Sequence, residues 1–396
     1  MPKSVVSIHR MSAFGGAERY AAYLCEALLQ EEHEVCLLTS GRVSVEEIEK
    51  YFGLSLTGLK IKEIDLRLPR LPEELKRFLL DAYKMNLVRQ EGADYYFECS
   101  YKSETFGVAS KNYYICHFPH QVKKEFNSPV RRVYFNSIQL LRKLLLGRGK
   151  RFQDTYDAIL ANSQFTQGHI GQRWGVSSSV LYPPCSLGGR QESHPLKEKK
   201  IVSVGRFEQP MPNIPHKGQH YLIEAFKELE GLHREGWELH LAGSCRSAGA
   251  EAYLSDLRAL AEGLPVYFHP NMEIEDLENL LGSSTLYWHA QGYGQDLESF
   301  PETQEHFGIT TVEAMAAGSI PIVINSAGPK EVAEGQGGET WDSLEELRQK
   351  SLKVLELPSE ELANRQQACR ERASFFSEER FTERLGSLLR ESSAKS

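Results

Sequence analysis

Short runs of β-branched and aromatic residues alternate with helical patterns along the whole chain. The helical patterns have apolar residues three and four positions apart, as in Tyr20, Tyr23 and Leu24. Twelve runs predict strands at residues 5–9, 34–39, 61–65, 95–99, 113–117, 158–161, 180–182, 201–204, 238–242, 266–269, 286–289 and 320–324. This alternation is typical of α/β proteins whose parallel sheets are covered by helices on both faces.

A polar segment without a strand pattern, residues 186–199, divides the chain and is predicted to be a linker. We therefore expect two Rossmann-like, doubly wound domains, the first over residues 1–185 and the second over residues 200–372. A C-terminal helix within residues 373–396 is expected to return to the first domain. Because ligands of such sheets bind beyond the carboxyl ends of the strands, two domains facing a central cleft would place functional residues just after strands.

The composition excludes several classes of protein. With 396 residues, of which 41% are hydrophobic and 25% charged, the chain can bury a sizeable core, which excludes disorder. No apolar run approaches the roughly 18 to 20 residues of a membrane span, and Arg10 interrupts any secretory stretch. Seven scattered cysteines without a Cys-x-x-Cys pair favour neither a disulfide framework nor a zinc knuckle. We expect a cytoplasmic protein with reduced cysteines. Any association with a membrane is expected to be peripheral and on its inner face.

The net charge of −8 conceals two halves of opposite sign. Residues 1–190 carry 26 Lys and Arg against 20 Asp and Glu, and the remainder carries 20 against 34. Cations concentrate in residues 122–151, where nine of them face one acid, Glu125. Within this stretch one helical stripe contains Tyr134, Ile138, Leu141 and Leu145.

Such a basic amphipathic helix has two interpretations. It can lie on an anionic membrane surface, where each Lys or Arg contributes about 1 kcal/mol. Alternatively, its apolar stripe packs on its own domain and the cations are solvated. Nucleic acid is disfavoured as a partner, because the aromatic residues fit a core stripe and no recognition module is present.

Residues 305–318 carry the most informative chemistry. Residues 310–317 predict a short helix that follows a Phe-Gly-Ile turn and ends at Gly318, and its open amides would suit a phosphate. A carboxylate only accepts hydrogen bonds, so Glu313 suits a vicinal diol such as a ribose, and Glu305 could hold further hydroxyls. The alternative is that one acid caps the helix and the other is a solvated surface acid.

With its two Glu residues separated by seven others around Phe-Gly, this segment resembles the family four retaining glycosyltransferases of GT-B architecture. The resemblance extends over most of the chain. Its further motifs are Gly15-Gly16-Ala17-Glu18, His117-Phe118-Pro119, Ala161-Asn162-Ser163, Leu181-Tyr182-Pro183-Pro184, Gly205-Arg206-Phe207, Lys217-Gly218, Leu241-Ala242-Gly243 and Gly328-Pro329. Each motif is weak alone, but their order on the strand pattern supports the identification.

The resemblance implies a donor site in the second domain. Glu305 would contact sugar hydroxyls and Glu313 the ribose, while Arg206 and Lys217 would neutralise the diphosphate. The donor would also contact the turn made of Phe307, Gly308, Ile309 and Thr310. One departure is that ten residues, three of them prolines, separate Arg206 from Lys217, whereas the loop of the family is usually shorter.

In the first domain, the resemblance implies that the Gly15-Gly16 loop faces the donor phosphates and the acceptor. It also implies that His117, at a predicted strand end, contacts the transferred sugar or the acceptor, with His120 as a less favoured candidate. The alternative is structural for both motifs, because a Gly-Gly turn and a lone histidine at a strand end are often parts of the fold.

The implied activity is the transfer of a sugar from a nucleoside diphosphate sugar to a hydroxyl of a glycan or lipid-linked acceptor, forming an α-glycosidic bond. No Asp-x-Asp and no cluster with metal-ligand spacing occurs, so neither a catalytic metal nor a cofactor is expected. The amino-acid sequences of residues 305–318 and 325–330 resemble those of mannosyltransferases that use GDP-mannose and lipid-linked acceptors. The base is expected near Asn271 and Met272.

Other functions stay open at this point. Nucleotide-sugar epimerases and sugar phosphorylases share the implied fold, and a non-catalytic subunit that binds nucleotide sugar would keep the same motifs. A nicotinamide-dependent dehydrogenase is disfavoured because Gly15-Gly16 lacks the Gly-x-Gly-x-x-Gly spacing. The motifs of α/β-hydrolases and P-loop ATPases are absent.

Overall fold

The computed structural model describes residues 1–66, 68–122, 128–185, 196–335 and 337–394. The chain forms two compact units. The first unit consists of Met1–Pro184 and the chain from Phe381 onward. The second unit consists of the chain from Cys185 to Arg380. Each unit has a parallel sheet with helices, so the predicted α/β fold of two Rossmann-like domains is confirmed.

The first unit contains a sheet of parallel strands in the order β3-β2-β1-β4-β5-β6-β7. The strands are β1 (Lys3–Ser7), β2 (Glu34–Thr39), β3 (Lys60–Glu63), β4 (Tyr95–Glu98), β5 (Lys111–Cys116), β6 (Ala158–Ala161) and β7 (Ser179–Val180). The helices are α1 (Gly16–Gln30), α2 (Val45–Phe52), α3 (Glu73–Glu91), α4 (Pro129–Leu145) and α5 (Gln164–Trp174), with 3-10 helices at Met11–Ala13 and Phe152–Thr155.

Strand β1 is central in this sheet and is buried on both faces, as expected for a β-branched run in a parallel sheet. Val6 belongs to a core cluster with Leu37 and Phe97 of the neighbouring strands. Val5 packs into a separate cluster on the other face. The last helix contributes Phe381, Leu385 and Leu389 to the cluster around Val6.

The second unit contains parallel strands in the order β10-β9-β8-β11-β12-β13. The strands are β8 (Glu198–Val204), β9 (Glu238–Gly243), β10 (Val266–Pro270), β11 (Ser284–His289), β12 (Ile320–Ile324) and β13 (Glu339–Trp341). The helices are α6 (Gln219–Lys227), α7 (Glu230–Arg234), α8 (Ala248–Leu260), α9 (Ile274–Ser283), α10 (Ile309–Ala316), α11 (Ala327–Ala333), α12 (Leu344–Leu355), α13 (Ser359–Ser374) and α14 (Glu378–Ala394), and a 3-10 helix lies at Pro301–Thr303. Helix α14 begins in this unit and continues in the first.

Three differences from the sequence analysis go beyond shifts of a few residues at strand ends or change the assignment of a segment. The edge strand β13 was not predicted, because its three residues, Glu-Thr-Trp, are too few and too polar for a strand pattern. Strand β8 begins at Glu198, inside the segment assigned to the linker, of which residues 186–195 lie outside the described residues. Residues 373–396 contain the end of α13 as well as α14.

Strand order reverses at one point in each sheet. In the second unit, β9 and β10 lie on one side of the β8–β11 pair, and β12 and β13 on the other. In the first unit, the corresponding pair is β1 and β4. Doubly wound sheets bind ligands at the carboxyl ends of the strands at this switch point. The residues that follow β8 and β11 are therefore positioned for binding.

The basic stretch forms helix α4, and its stripe does not pack on the first unit as the second of the two interpretations expects. Of its four residues only Ile138 is buried, together with Phe135 and Arg142, whereas Tyr134, Leu141 and Leu145 are exposed. The exposed apolar residues of α4 also include Val130, Val133, Leu140 and Leu144. One face of α4 therefore presents apolar side chains to solvent. Lys123, Lys124 and Glu125 lie outside the described residues.

Arg142 is buried because two acids compensate its charge. Its Nη2 lies 2.5 Å from Oδ2 of Asp81 on α3, and its Nη1 lies 3.3 Å from Oε2 of Glu104. Nη2 also donates to the Glu104 carbonyl oxygen at 3.0 Å. The buried guanidinium of Arg142 therefore holds α4 against α3 and the loop that contains Glu104, and it is not available to bind a membrane surface.

Candidate active site

Strands β8 and β9 of the second unit end at two glycines that touch. A Cβ on Gly243 would lie 1.9 Å from the carbonyl oxygen of Gly205, and a Cβ on Gly205 would lie 2.5 Å from Cγ of Lys217. No side chain fits at either position, which explains both glycines in the sequence. The stem of Lys217 consequently lies against the end of β8, at the switch point.

Lys217 and Glu305 are 88 residues apart in sequence and form an ion pair with a hydrogen bond. Lys217 precedes α6, and Glu305 precedes α10. Each side chain is 22% exposed. Burial alone would raise the pKa of Glu305, but the charge of Lys217 and the neighbouring His289 hold it well below its ordinary value. Glu305 is therefore an ionised acceptor at neutral pH.

His289, the last residue of β11, is a site residue that the sequence analysis missed. Its side chain is 4% exposed, and Nε2 lies 4.0 Å from Oε2 of Glu305, which is too long for a hydrogen bond. Neither ring nitrogen has a hydrogen-bond partner among the described residues. Burial lowers the pKa of His289, and Glu305 opposes this. Its position at the carboxyl end of a predicted strand was the signal that could have identified it.

Helix α10 begins one residue earlier than predicted, at Ile309. Its N-cap residue, Gly308, has a φ of 96°, which glycine adopts without strain. The backbone N–H of Gly328 donates to the carbonyl oxygen of Glu305 at 3.0 Å. A Cβ on Gly328 would lie 2.3 Å from Cα of Phe307. Gly328 therefore holds the turn that carries Glu305.

The side chain of Phe307 is structural. It is buried, and its ring centroid lies 5.4 Å from that of Phe376. The ring of Phe307 is thus packed within the second unit, and the implied donor contact of this residue stays a prediction.

The hydroxyl of Tyr287 on β11 feels the charges of both acids of the 305–318 segment, Glu305 and Glu313. Burial is the largest cause that raises the pKa of its hydroxyl, and the charges of Glu305 and Glu313 raise it further. Glu305 precedes α10, and Glu313 lies within it. The Tyr287 hydroxyl is 2.8 Å from Oγ1 of Thr310, in the first turn of α10.

The structure does not bring the Arg206 guanidinium to Lys217 or Glu305. The Arg206 side chain is 66% exposed, and its Nε lies 3.4 Å from Oε1 of Glu208. Its backbone is fixed, because Nε2 of Gln219 donates to the carbonyl oxygens of Gly205 and Arg206 at 3.1 and 3.0 Å. Gln219 is buried and was not predicted as part of this region.

Asn271 and Met272 follow β10. The Asn271 side chain accepts from the Cys245 backbone N–H at 2.8 Å and donates to the Cys245 carbonyl oxygen at 2.9 Å. Met272 packs against the core cluster that contains Tyr287. Asn271 therefore joins the loops that follow β9 and β10, which leaves its expected base contact a prediction.

In the first unit, the Gly15-Gly16 loop begins helix α1. The backbone N–H of Gly15 donates to Oε2 of Glu18 at 2.9 Å, and Gly16 is the first helical residue. A Cβ on Gly15 would lie 2.8 Å from the same carboxylate oxygen. The Glu18 carboxylate thus accepts the hydrogen bond of the Gly15 backbone N–H. An anionic ligand that binds this N–H would have to displace the carboxylate.

His117 follows β5 and is held by a backbone group. Its Nε2 lies 2.9 Å from the Cys99 carbonyl oxygen, so this nitrogen carries the proton and donates. Burial lowers the pKa of His117 to about 4, against the effect of that hydrogen bond. The imidazole is therefore neutral at pH 7. His120 is separate, because its Nε2 contacts Oε1 of Glu104 at 3.2 Å in the cluster around Arg142.

Three further observations concern metals, membranes and cysteines. Among the described residues, His, Cys, Asp and Glu side chains form no group of three that could hold a metal ion. No helix in the described ranges is both long and apolar enough to cross a membrane. All seven cysteines are buried, and none takes part in a disulfide within the part of the chain that the structure describes.

Two family models match the chain. The model described as "Glycosyltransferase Family 4" matches residues 14–187, and the model described as "Glycosyl transferases group 1" matches residues 189–373. Together with the two Rossmann-like units, these matches show that the chain belongs to the family four glycosyltransferases of GT-B architecture.

The similar proteins are mannosyltransferases and bacterial glycosyltransferases. The chain is 32% identical over 248 residues to the mouse (Mus musculus) GDP-Man:Man(3)GlcNAc(2)-PP-Dol alpha-1,2-mannosyltransferase, covering 57% of this chain and 46% of that protein. It is 22% identical to the Alpha-1,3/1,6-mannosyltransferase ALG2 of Saccharomyces cerevisiae, over 83% of this chain and 71% of that protein. The chain spans about half the length of the first of these relatives.

Solved structures agree in fold. A glycosyltransferase from Rickettsia africae superposes with a TM-score of 0.69 at 16% identity, covering both chains completely. WaaG, a glycosyltransferase involved in lipopolysaccharide biosynthesis, superposes with a TM-score of 0.65 at 15% identity, over 97% of this chain and 99% of that chain.

Proposed function

We propose that this protein is a retaining glycosyltransferase that moves mannose from GDP-mannose to a hydroxyl of a glycan or lipid-linked acceptor. The names of the mouse and yeast relatives support mannosyl transfer, and the mouse name supports a GDP-linked donor and a lipid-linked acceptor. The family membership supports the reaction class.

The observation that carries the proposal is the cluster of Lys217, Glu305 and His289 at the switch point of the second unit. It combines an ammonium group, an ionised carboxylate and an imidazole at the carboxyl ends of β8 and β11. The imidazole has no hydrogen-bond partner in the described ranges. A nucleoside diphosphate sugar offers anionic oxygens to the first group and hydroxyl donors to the second.

In the proposed complex, Lys217 turns from Glu305 to the diphosphate, and the exposed Arg206 swings toward it from its contact with Glu208. Glu305 then accepts hydrogen bonds from sugar hydroxyls, and Glu313 accepts from the ribose diol. The bond between the anomeric carbon and the phosphate oxygen breaks as the acceptor oxygen bonds to that carbon on the same face. The acceptor proton moves to the departing phosphate oxygen, so charge stabilisation and positioning supply the catalysis.

The acceptor side of the proposal concerns the first unit. His117, neutral at pH 7, contacts the transferred sugar or the acceptor through its ring, with Nε2 already donating to Cys99. We place the enzyme in the cytoplasm, on an anionic membrane surface that the exposed apolar face of α4 meets. Transfer needs neither a metal nor a further cofactor, because cations and helix amides neutralise the leaving diphosphate.

The test is a panel of UDP-, GDP- and ADP-sugars offered to the full chain in the presence of a chelator. Ligands that bind the native state raise the melting temperature, and the proposal predicts the largest rise with GDP-mannose. With a short-chain mannosyl lipid as acceptor, the product linkage determined by NMR should be α. A β-linked product would contradict retention, and stabilisation by UDP-sugars alone would contradict the donor.

A further inference from the structure

A pocket in the first unit lies outside the site described above. It has a volume of about 510 Å³ and is enclosed by the C-terminal half of α4, Gln121 and Val122 after β5, the 3-10 helix at Phe152–Thr155 and the C-terminal end of α5. Neither the Gly15-Gly16 loop nor His117 lines it. The pocket is large enough for a small organic ligand.

The pocket is positively charged. Five of its lining residues are cations, namely Arg142, Lys143, Lys150, Arg151 and Arg173, and its lining acid is Glu104. Glu104 is ionised, since His120 and Arg142 outweigh burial and lower its pKa to about 2. That acid is already paired with Arg142, and it also contacts His120.

Two of the cations are exposed lysines outside any ion pair in the described part of the chain, although the charge of Lys143 still acts on Asp154. Arg151 is paired with Asp154, and Arg142 with Asp81 and Glu104. Lys143 and Lys150, by contrast, form no ion pair among the described residues, and both are exposed. Two ammonium groups at the mouth of a pocket attract an anion and provide the donors that phosphate oxygens accept.

The walls of the pocket are aromatic. Phe106, Phe152 and Trp174 line it, and the rings of Phe152 and Trp174 meet edge to face at 5.3 Å between centroids. An inorganic anion gains little from such walls, whereas an anion attached to an apolar group gains from both charge and burial.

The apolar surface continues outside the pocket. Leu140 and Leu144 of α4 are exposed and lie next in sequence to two residues that line the pocket, Gln139 and Lys143. A chain that leaves the pocket beside Lys143 therefore meets apolar side chains.

We propose that this pocket binds the phosphate headgroup of a lipid, with Lys143 and Lys150 on the phosphate and the lipid chain along the exposed apolar face of α4. The site is separate from the Lys217–Glu305 cluster, and binding there needs no sugar transfer. The position of the lipid chain rests on the membrane contact of α4 in the proposed function, whereas the phosphate pocket goes beyond it. Calorimetry of the pocket involves no donor sugar, so failure of this site and failure of sugar transfer are distinguishable.

The test is calorimetric titration of the full chain with dihexanoyl phosphatidic acid below its micelle concentration. Dihexanoyl phosphatidylcholine and inorganic phosphate are titrated as separate arms. The variant carries Lys143→Glu and Lys150→Glu. Its matched control carries Lys227→Glu and Lys353→Glu, two exposed cations of the second unit.

The site predicts that phosphatidic acid binds the wild type and the control alike, and that the pocket variant binds it at least about tenfold more weakly. Because the four substituted lysines are exposed, circular dichroism should show all proteins folded. Equal affinity of the pocket variant and the control would overturn the proposal. Inorganic phosphate that binds as tightly as phosphatidic acid would overturn the lipid assignment. Phosphatidylcholine carries a phosphate whose charge its own choline offsets, so binding of this lipid as tight as that of phosphatidic acid would overturn the attraction of Lys143 and Lys150 for a net negative headgroup.

Discussion

Glycines without room for a side chain determine the geometry of the donor-site region at the scale of single residues. Gly205 and Gly243 let two loops touch, and Gly328 lets α11 approach the Phe307 backbone. The sequence shows these glycines within motifs, but spacing alone does not reveal what each one touches. The contacts involve residues up to 38 positions apart, which only the folded sheet brings together.

Replacing Gly243 tests this close approach. In Gly243→Ala, the new methyl would lie 1.9 Å from the Gly205 carbonyl oxygen, so the backbone must shift. Urea unfolding should show a loss of about 1–3 kcal/mol. The control is Gly249→Ala, inside helix α8 and with open space around the new methyl, which should gain about 0.5–1 kcal/mol. Equal stability of the two variants would contradict the packing argument.

Glu104 predicts a pH dependence of stability. Burial raises its pKa, but the hydrogen bond of His120 and the charge of Arg142 lower it further, to about 2 in the folded state from an ordinary value of 4.5. Its ionised form therefore stabilises the folded state above about pH 5, and this contribution is lost as the pH falls toward 2.

The measurement is urea unfolding of the wild type and Glu104→Gln at a series of pH values. The wild type should be the more stable by a constant difference between about pH 5 and 7, and the difference should shrink between about pH 4.5 and 2. A difference that grows as the pH falls would contradict this assignment.

Helix α4 shows what periodicity predicts for an element and what it does not. The spacing of apolar residues predicts a helix, and a helix forms at Pro129–Leu145. It does not predict the buried face, because a face with Arg142 at its centre looks polar in sequence. Asp81 and Glu104, which compensate that charge, come from α3 and from the loop after β4, so the sequence gives no local sign of them.

The exposed face of α4 predicts a membrane contact that stability measurements will not detect. Leu140→Ser with Leu144→Ser removes apolar surface that faces solvent, so thermal unfolding should change little. Sedimentation with anionic vesicles should show binding at least about tenfold weaker. The control is Leu352→Ser on α12 of the second unit, whose side chain is also exposed. If the control weakens vesicle binding as much as the α4 variant, the contact is not made by α4.

At the scale of the whole molecule, strand and helix patterns were sufficient to predict the two parallel sheets. Each βα repeat has its own local signal, and β13 was missed because an edge strand of three residues has almost none. The Lys217–Glu305 ion pair could not be predicted from spacing, because strand order at the switch point brings the two loops together. The exposed position of Arg206, beside Glu208, likewise has no sequence signal.

The last helix contributes to the core of the first unit, and this predicts the effect of a distant substitution. Leu385 is fully buried in the cluster around Val6. Leu385→Ala should destabilise the first unit by about 2–5 kcal/mol in urea unfolding. Leu352→Ala, at an exposed position, should stay within about 0.5 kcal/mol of wild type. Unfolding of Leu385→Ala at the wild-type midpoint would contradict the role of α14.

The central claim is that Lys217 and Glu305 hold the donor of a glycosyl transfer, and donor hydrolysis tests it most directly. GDP-mannose hydrolysis in a chelator is measured for the wild type, Lys217→Met and Glu305→Gln. The controls are Lys227→Met on helix α6 and Glu298→Gln in the loop before α10, both at exposed positions. We expect the hydrolysis rate to fall by at least about 100-fold in each of the two site variants and to stay unchanged in the controls. Wild-type rates in Lys217→Met and Glu305→Gln would contradict the central claim.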